Sequence, residues 1–314
     1  MPSLPFHLPW LAPLAGFSDL PFRLLCRYFG CAVACTEMIS AKGLVYGSEG
    51  TSALLATCPD DTPLVVQLFG REPEFIARAM DLLLEKGYVF FDLNCGCSVK
   101  KVIKTGSGCA LMREPDLLLE ILSAMVQKAG PGRVGVKIRL GWESATWPNL
   151  APAIEQTGAS WICLHPRTGR QGFRGQADWK SLYQLKQTVN IPVIGSGDIL
   201  SAQAARDCLQ QTGIDTVLFA RGALADPSVF AKFHKLQAGE PLQERTVEEI
   251  QTLTLSMENF YVRYGCPRQA LLRMRTLLPR FVKDMPGAKE IRKKIQSCTT
   301  WEDVHVLLKK TETE

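Results

Sequence analysis

The stretch FDLNCGCSVKKVIKTGSGCALM, from Phe91 to Met112, contains the pattern that best indicates the fold and function of the chain. It continues a short apolar run at residues 88–91, a composition that predicts a β-strand. The strand then gives way to polar and small residues, two adjacent lysines and the glycines Gly106 and Gly108. A strand that ends in a glycine-rich loop with a thiol, an amide and positive charge is typical of sites at the carboxyl ends of strands in α/β enzymes. Alone, an ordinary buried strand and loop would give the same pattern.

Short apolar runs of this kind recur before helix-like segments along the first 220 residues. There are eight: Trp10–Leu14, Ala32–Thr36, Leu64–Leu68, Tyr88–Leu93, Arg133–Ile138, Trp161–His165, Pro192–Gly195 and Thr216–Ala220. Most are rich in Val, Ile and Leu without clean alternation, as expected for parallel strands that are buried on both faces. Apolar residues at helical spacing lie between them, at Pro73–Glu85, Pro115–Lys128, Trp179–Val189 and Ala202–Gln211.

Eight repeats of strand and helix predict an α/β fold of the TIM (β/α)8 barrel type. A doubly wound open sheet is the competing architecture, but no GxGxxG motif follows the first strand. After Gly239-Glu240-Pro241 the strand-like runs stop, and helical stretches follow at Val247–Tyr264, Arg268–Val282, Ala288–Gln296 and Trp301–Lys309. The sequence therefore predicts a barrel domain over residues 1–238 and a small C-terminal helical bundle over residues 239–314.

The helical tail is strongly basic. Between Arg263 and Lys294 ten Lys or Arg residues stand against two acids, with Tyr261, Tyr264 and Phe281 interleaved. Such a mixture of cations and aromatic rings favours a nucleic-acid surface, although a solvated helix face is the alternative. The net charge of the whole chain is only +5, which is too small to indicate a polyanionic partner by itself.

The composition is that of a globular protein with a full core, with 46% hydrophobic and 21% charged residues among 314. No apolar run reaches the roughly 20 residues that span a bilayer, so no membrane contact is expected. The N-terminus lacks the basic region of a signal peptide. The eleven cysteines are therefore expected as thiols in a reducing cytoplasm. Because no CxxC pair occurs, no metal site is expected.

Polar and small residues stand at the predicted strand ends, which meet at one face of a barrel. Taken singly they have structural alternatives: Lys137 and Arg139 could form salt bridges, and His165 could be a satisfied core histidine. Asp198 could simply cap a helix. Taken together, residues of this kind at successive strand ends predict a site.

Several of these groups suit flavin mononucleotide (FMN). Its phosphate requires backbone N–H groups and a cation, which Ser196-Gly197-Asp198 and Ala220-Arg221-Gly222 would supply where barrels commonly bind phosphate. Gln67 can pair with the amide edge of the isoalloxazine ring, and Lys137 can place positive charge near its N1 atom. The remaining predicted flavin contacts are Pro13, Leu14, Ala15 and His165.

The chain resembles the tRNA-dihydrouridine synthases in a series of motifs that keep the order and spacing of that family. They are APLAGFSD (Ala12–Asp19), TEMIS (Thr36–Ser40), QLFG (Gln67–Gly70), DLNCGCSVKKV (Asp92–Val102), GSGCALM (Gly106–Met112), KIRLGW (Lys137–Trp142), HPRTGRQGFRGQADW (His165–Trp179) and GSGDI (Gly195–Ile199). The resemblance implies an FMN-containing barrel that uses NADPH to reduce selected uridines of tRNA to 5,6-dihydrouridine, with an RNA-binding helical tail. The residue after the family's catalytic cysteine is normally proline, but here it is Ser98, so the rigidity of that loop is open.

The resemblance assigns proton donation to C5 of uracil to Cys97, after a hydride from flavin N5 has reached C6. Cys95, two residues earlier, would point the same way in an extended segment and is the competing thiol. Because a stacked base cannot reach a barrel mouth, the target base is expected to be flipped out. The residues expected to contact the tRNA are Asn94, Lys100, Lys101, Lys104, Arg167, Arg170, Arg174, Arg273 and Arg275.

Two other functions are compatible with parts of this pattern. A small-molecule flavin oxidoreductase of the dihydroorotate dehydrogenase-like barrel type would share the fold and the flavin, but it would need no basic tail. A non-catalytic RNA-binding protein on a barrel scaffold would need no flavin. A monomer is the default expectation, and the sequence does not indicate which uridine is modified.

Overall fold

The structure is a computed structural model that describes residues 3–243, 245–283, 285 and 287–310. The outer ends of the two predicted domains, at residues 1–2 and 311–314, lie outside the described residues. In the part of the chain that is described, no helix is both long and apolar enough to cross a bilayer. All eleven cysteines are free thiols, as expected.

The described residues contain a closed parallel barrel. Its strands are β1 (Trp10–Leu11), β2 (Val33–Cys35), β3 (Ile39–Ser40), β4 (Leu64–Phe69), β5 (Phe90–Cys95), β6 (Val134–Arg139), β7 (Trp161–His165), β8 (Val193–Gly195) and β9 (Thr216–Phe219). The barrel closes because β1 pairs in parallel with both β2 and β9, while β2 pairs with β4. The predicted TIM barrel and its eight strands are thus confirmed. The two-residue β3, which pairs with β4 beyond the end of β2, was not predicted.

Helices fill the connections and form the tail. They are α1 (Leu20–Tyr28), α2 (Ala41–Val45), α3 (Glu49–Ala53), α4 (Pro73–Glu85), α5 (Lys100–Ile103), α6 (Pro115–Ala129), α7 (Trp147–Gln156), α8 (Trp179–Thr188), α9 (Ala202–Thr212), α10 (Arg221–Ala225), α11 (Val229–Gln237), α12 (Val247–Tyr264), α13 (Pro267–Phe281), α14 (Ala288–Ser297) and α15 (Trp301–Lys310). A 3₁₀ helix covers Gly108–Arg113. The predicted barrel helices and the four tail helices α12 to α15 are confirmed to within two residues at each end.

Successive residues of each strand face either the barrel interior or the surrounding helices, as the two-residue period of a strand requires. The interior holds a separate apolar cluster that includes Trp10, Phe90 and Trp161. The indoles of Trp10 and Trp161 pack edge to face with centroids 5.7 Å apart. The alternate residues, including Phe91 and Cys95 of β5, belong to the larger core between strands and helices. This alternation decides which side chains can reach the carboxyl end of the barrel.

Asp19 joins the tail to the barrel. It caps α1, and its Oδ1 atom accepts hydrogen bonds from the backbone N–H of Phe22 at 3.1 Å and from the Tyr261 hydroxyl at 2.9 Å. Its Oδ2 atom accepts from Gln269 at 2.8 Å and from Arg273 Nε at 3.0 Å. One carboxylate thus binds α12 and α13 to the loop that follows β1.

This anchor corrects the expectation that Arg273 contacts tRNA. Arg273 is 7% exposed, and its guanidinium is ion-paired with Asp19 at 2.9 Å and lies over the Phe17 ring at 5.3 Å. Breaking a buried ion pair from one side leaves an uncompensated charge, which typically costs about 3–5 kcal/mol. Arg273 is therefore part of the contact between the barrel and the helical tail and is not available to a phosphate.

We predict that Tyr261→Phe lowers the free energy of unfolding by about 1–2 kcal/mol, because a partly buried oxygen of Asp19 loses one of its donors. Urea or guanidinium unfolding of the full chain measures this change. Tyr183→Phe is the matched control, since Tyr183 is half exposed. Equal stability of the Tyr261→Phe and Tyr183→Phe variants would contradict the role given to the Asp19 anchor.

Candidate active site

A cavity of about 250 Å³ opens at the carboxyl ends of the strands. Several connecting loops and strand ends contribute to its wall. The residues from the sequence prediction that line it are Pro13, Leu14, Ala15, Asn94, Cys97, Lys137, His165, Ser196, Gly197, Asp198, Ala220 and Arg221. The barrel thus brings these residues from separate segments of the sequence together around one cavity.

Cys97 sits just beyond the end of β5, where the chain turns. The carboxamide oxygen of Asn94 accepts hydrogen bonds from the backbone N–H of Gly96 at 3.3 Å and of Cys97 at 3.0 Å. This turn directs Cys97 toward the cavity, whereas Cys95, still inside the strand, is buried on the helix side. The expectation that both thiols point the same way is therefore wrong, because the extended conformation ends between them.

The Cys97 thiol is suited to hold a proton. Burial raises its pKa, and this effect exceeds the opposing contributions of the Val99 N–H and of the cations Arg139 and Lys137. The pKa of the Cys95 thiol is raised still further by complete burial. At neutral pH the residue at the cavity is thus a thiol, which can donate a proton, and not a thiolate nucleophile.

Asn94 is itself held by a chain of buried side chains. Its Nδ2 donates to Gln67 Oε1 at 2.6 Å, and Gln67 Nε2 donates to Asp92 Oδ2 at 2.6 Å. Gln67 is 0% exposed and does not line the cavity. The structure therefore differs from the expectation that Gln67 faces the flavin ring: its carboxamide lies beneath Asn94 and is engaged at both ends.

His165 is a neutral imidazole at the wall of the cavity. Burial and the neighbouring cations Lys137, Arg139, Arg167 and Arg221 lower its pKa to about 2. Arg167 Nη1 lies 3.2 Å from His165 Nε2, and since a guanidinium can only donate, Nε2 is the acceptor and Nδ1 carries the proton.

Asp198 ties three segments together at the predicted phosphate site. Its Oδ2 accepts from Arg167 Nη2 at 2.6 Å and from the Ala177 N–H at 2.8 Å, and its Oδ1 accepts from Arg221 at 3.0 Å. Burial would raise the pKa of Asp198, but these donors outweigh it and lower the pKa. Gly197 and Asp198 both have positive φ, +97° and +56°. They form a turn after β8, a place where the backbone N–H groups of a barrel can bind an anion.

The comparisons with known proteins agree with this geometry. A model of the family described as Dihydrouridine synthase (Dus) matches residues 10–313. The chain belongs to the dihydrouridine synthase family. It is 34% identical over 295 residues to tRNA-dihydrouridine synthase B of Pseudomonas aeruginosa, an alignment that covers 92% of this chain and 88% of that relative. It is 35% identical over 299 residues to the probable tRNA-dihydrouridine synthase 1 of Synechocystis sp., covering 93% and 83% of the two chains.

A solved structure, morphinone reductase, shares the barrel. Its TM-score against this chain is 0.51 at 15% identity, covering 77% of this chain and 88% of morphinone reductase. At this level of identity the likeness concerns the fold alone. The resemblance to the dihydrouridine synthases that the motifs predicted is confirmed by the family match.

Of the cations predicted to meet the substrate of a dihydrouridine synthase, some lie on the surface around the cavity. Lys100, Lys101 and Lys104 are exposed on or beside α5. Arg170 and Arg174 are exposed in the loop after β7, where Arg170 is ion-paired with Glu143 at 3.2 Å. These positions leave the five side chains accessible to a polyanion.

Two other predicted cations are used inside the protein. Arg167 is 2% exposed, and its guanidinium holds His165, Asp198 and the carbonyl of Gly175. Arg275 is partly buried and donates twice to the Cys298 carbonyl at the end of α14. The expectation that Arg167 contacts a phosphate is corrected, because its guanidinium is buried and already bound to groups in the loops after β7 and β8.

Arg139 and Phe173 also belong to this site, Arg139 as the strand-end residue and Phe173 as the stacking candidate that the sequence offered together with Trp179. Arg139 donates to the Gly96 carbonyl at 2.7 Å and the Gly172 carbonyl at 2.7 Å, so it fastens the Cys97 turn to the loop after β7. Phe173 is 64% exposed at the cavity, 5.9 Å from the His165 ring. The position of Arg139 at a strand end was the only signal for its role in the sequence.

Gly108 makes the Cys97 turn possible. A Cβ atom at Gly108 would lie 2.7 Å from the Cys97 carbonyl oxygen and 3.2 Å from the Cys97 Cβ, and the Cys109 N–H donates to that same carbonyl at 2.8 Å. Gly108 also has a φ of +63°, which a side chain adopts only with strain. The glycine therefore allows the start of the 3₁₀ helix to pack directly against the turn.

We predict that Gly108→Ala destabilises the protein by about 2 kcal/mol or more, since backbone strain of about 1 kcal/mol is combined with the clash against Cys97. Gly213→Ala is the matched control, because Gly213 has nearly the same φ, +64°, with nothing within 4 Å of its Cβ position. Unfolding free energies of the two variants provide the comparison. A loss no larger for Gly108→Ala than for Gly213→Ala would contradict this account of the turn.

Proposed function

We propose that this chain reduces the C5=C6 bond of uridines in tRNA to give 5,6-dihydrouridine. Membership of the dihydrouridine synthase family supports this proposal, as do relatives named tRNA-dihydrouridine synthase that match over nearly the whole chain. The observation that carries it is the Cys97 thiol, protonated and turned into the cavity at the carboxyl end of the barrel. This activity is that of an oxidoreductase which acts on RNA.

The chemistry of the cavity suits FMN. Leu14, Met38 and Leu218 offer apolar surface for an aromatic ring, and Lys137 offers a cation on the same wall. The N–H groups of Gly197 and Asp198 and the Arg221 guanidinium suit the phosphate, while the Asp198 carboxylate serves only to hold Arg221 and Arg167. When bound and reduced, the flavin supplies a hydride to C6 of the uracil ring. We propose NADPH as the reductant.

Cys97 then completes the reduction by giving its proton to C5. The raised pKa of this thiol keeps it in the proton-donating form at neutral pH. The donating form is lost as the pH rises through that pKa, so activity is expected to fall only on the alkaline side. Recovery of the proton from solvent is possible because Cys97 is partly exposed at the cavity.

The charge that develops on the uracil carbonyl oxygens needs donors that are already in place. Lys137 supplies an ammonium group with no hydrogen-bond or ion-pair partner among the described residues, and the second N–H of Asn94 Nδ2 faces the same cavity region. His165 can donate from Nδ1, because Nε2 is occupied by Arg167. These three side chains would orient the base and stabilise the enolate oxygen.

The base must leave the stack of the tRNA to reach Cys97. Phe173 is the exposed aromatic side chain at the cavity, and we propose that it stacks on the everted uracil. Trp179 has a different task, because its indole N–H donates to the Gly197 carbonyl at 3.0 Å. Lys100, Lys101, Lys104, Arg170 and Arg174 would meet the flanking phosphates.

We also propose that residues 1–238 form the catalytic domain and residues 239–314 the tRNA-binding domain, in a monomer that works in the cytoplasm. The exposed cations of α13 and α14 support a role of the tail in binding RNA. Those without an acidic partner in the described part of the chain include Arg268, Lys289 and Lys294.

We predict that Cys97→Ala lowers the rate of dihydrouridine formation by at least about 100-fold, since a positioned general acid typically contributes 10²–10⁴-fold. Cys95→Ala should retain most of the activity, because the Cys95 side chain is buried outside the cavity. Formation of dihydrouridine in unmodified tRNA, with NADPH and matched flavin content, measures both. Loss of activity in Cys95→Ala alone would sink the assignment of Cys97.

We predict that the double charge reversal Arg268→Glu with Lys294→Glu weakens tRNA binding and lowers its salt dependence by roughly one to two counterions. The flavin content should stay the same, because both side chains are exposed on the tail. Affinity measured at several salt concentrations tests this. Lys180→Glu, an exposed lysine at the start of α8, is the control. If the double variant bound tRNA as tightly as the control does, the cations of the tail would be solvent-exposed charges without a role in tRNA binding.

A further inference from the structure

Asp92 lies inside the barrel, under the cavity, and takes no direct part in the proposed hydride and proton transfers. It is buried and does not line the large cavity, but it lines a small one beneath it together with Lys137 and Trp161. Burial raises its pKa to about 6, against the opposing effects of Gln67, Lys137 and Trp161. A buried carboxyl in such a place is costly unless each of its oxygens has a donor.

The direction of the hydrogen bonds above Asp92 can be worked out from the turn. The N–H groups of Gly96 and Cys97 can only donate, so the atom of Asn94 that faces them must be its oxygen. The Asn94 nitrogen then faces Gln67, which must accept with Oε1. This arrangement leaves the Gln67 nitrogen pointing at Asp92 Oδ2.

Donors face the Asp92 carboxyl from the neighbouring strands on its two sides. Asp92, Gly135 and Trp161 are register partners across β5, β6 and β7. Because Gly135 has no side chain, the Trp161 indole occupies that space, with Nε1 only 2.1 Å from where a Cβ of residue 135 would be. Its N–H acts on the Asp92 carboxyl from one side while Gln67 acts from the other, and Lys137 adds positive charge.

We propose that Asp92 is a positioning residue for the proton donor: through Gln67 it fixes the carboxamide orientation of Asn94, and thereby the Gly96–Cys97 turn and the Cys97 thiol. The inference rests on the proposed function, since it concerns the group that donates the proton there. Of Asp and Asn, which have the same size, only Asp as a carboxylate can accept from both the Gln67 NH₂ group and the Trp161 indole N–H. If Gln67 rotated by half a turn, Asn94 would follow, and its NH₂ group would meet the two backbone donors.

We call the hydrogen-bond chain from Asp92 through Gln67 to Asn94 the relay. In Asp92→Asn, the group at position 92 no longer fixes which way the Gln67 carboxamide points. Whichever way the new carboxamide turns, its NH₂ group faces either the Gln67 nitrogen or the Trp161 indole N–H. The turn should loosen, so that Cys97 becomes more exposed and its pKa moves toward that of an ordinary thiol. We expect Cys97 to be alkylated by iodoacetamide about tenfold faster at neutral pH, with its rate profile displaced to lower pH.

The double variant Asp92→Asn with Gln67→Glu supplies the rescue. It moves the carboxylate one link along the chain: the carboxamide at position 92 donates to the carboxylate at position 67, which still accepts from Asn94. The alkylation profile of Cys97 should return to within about threefold of the original. Gln67→Glu alone should not behave in this way, because it sets two buried acids against each other.

Alkylation is measured on the full-length purified chain, and Cys97 is followed by mass spectrometry of its peptide. Cys163→Ala is the control, because Cys163 faces the same small cavity below the relay and has no place in the hydrogen-bond chain. This readout needs neither tRNA nor turnover, so it stands even if the proposed function fails. In the dihydrouridine assay, Asp92→Asn should lower kcat by about tenfold and change KM for tRNA by less than about twofold.

The outcomes separate the relay from a general effect on the barrel. An unchanged Cys97 profile in Asp92→Asn overturns the proposal, and so does an equal displacement in Cys163→Ala. Should Asp92→Asn fail to fold, the double variant decides alone. A double variant that does not fold, or that folds with the turn loosened, overturns the proposal as well.

Discussion

Closure of the barrel between β1 and β9 is the constraint on which the rest of the structure depends. Trp10 pairs with Leu218 and Leu11 with Phe219, so the beginning of the chain is held next to residues more than 200 positions away. The loop after β1 is thereby set beside the loop after β9, and both form part of one cavity wall. An open sheet would leave these two edges apart, and the groups that suit a ring and a phosphate would not meet.

In the closed barrel, the loop after β1 both lines the cavity and contacts the helical tail. Its first part lines the cavity at Pro13, Leu14 and Ala15, while its last residue, Asp19, receives Tyr261 and Arg273 from the tail. Glu37 holds the middle of the loop, since its carboxylate accepts from the Gly16 N–H at 2.5 Å. The tail is thus fastened to the same short segment that forms a wall of the cavity, which fixes the position of the tail relative to Cys97.

The barrel could be predicted from sequence because its signal is local. Each strand is an apolar run buried on both faces, and its helix follows within a few residues. What could not be predicted is which polar group is already satisfied. Arg167 and Arg273 look like other basic residues in the sequence, yet each is paired in the interior with an acid 31 or 254 positions away. Their partners are set by tertiary contacts, so charge in a sequence overstates the charge offered to a ligand.

The orientation of the thiols of Cys95 and Cys97 also depends on local contacts that the sequence pattern does not reveal. Which thiol faces the cavity depends on where β5 ends, because in a strand that continued through Cys97 both thiols would lie on the helix side of the barrel. The end is set by the Asn94 oxygen, which captures the next two N–H groups, and by Gly108, which lets the following helix approach. Neither effect is visible as a pattern of apolar residues. Ser98 in place of the family's usual proline removes one constraint on this turn, so the hydrogen bonds that Asn94 accepts from Gly96 and Cys97 do more to fix it here.

The acids near the cavity each accept hydrogen bonds from groups within the protein, and this helps to determine the electrostatic field that a ligand meets. Asp198 is bound by Arg167 and Arg221, and Glu37 by a backbone N–H. Asp92 lies one layer down beneath Gln67. Lys137, in contrast, faces the cavity without an ion-pair partner among the described residues. The cavity therefore presents a positive potential, which suits an anionic ligand. The same field keeps His165 neutral, so the Cys97 thiol is left as the acid at this wall.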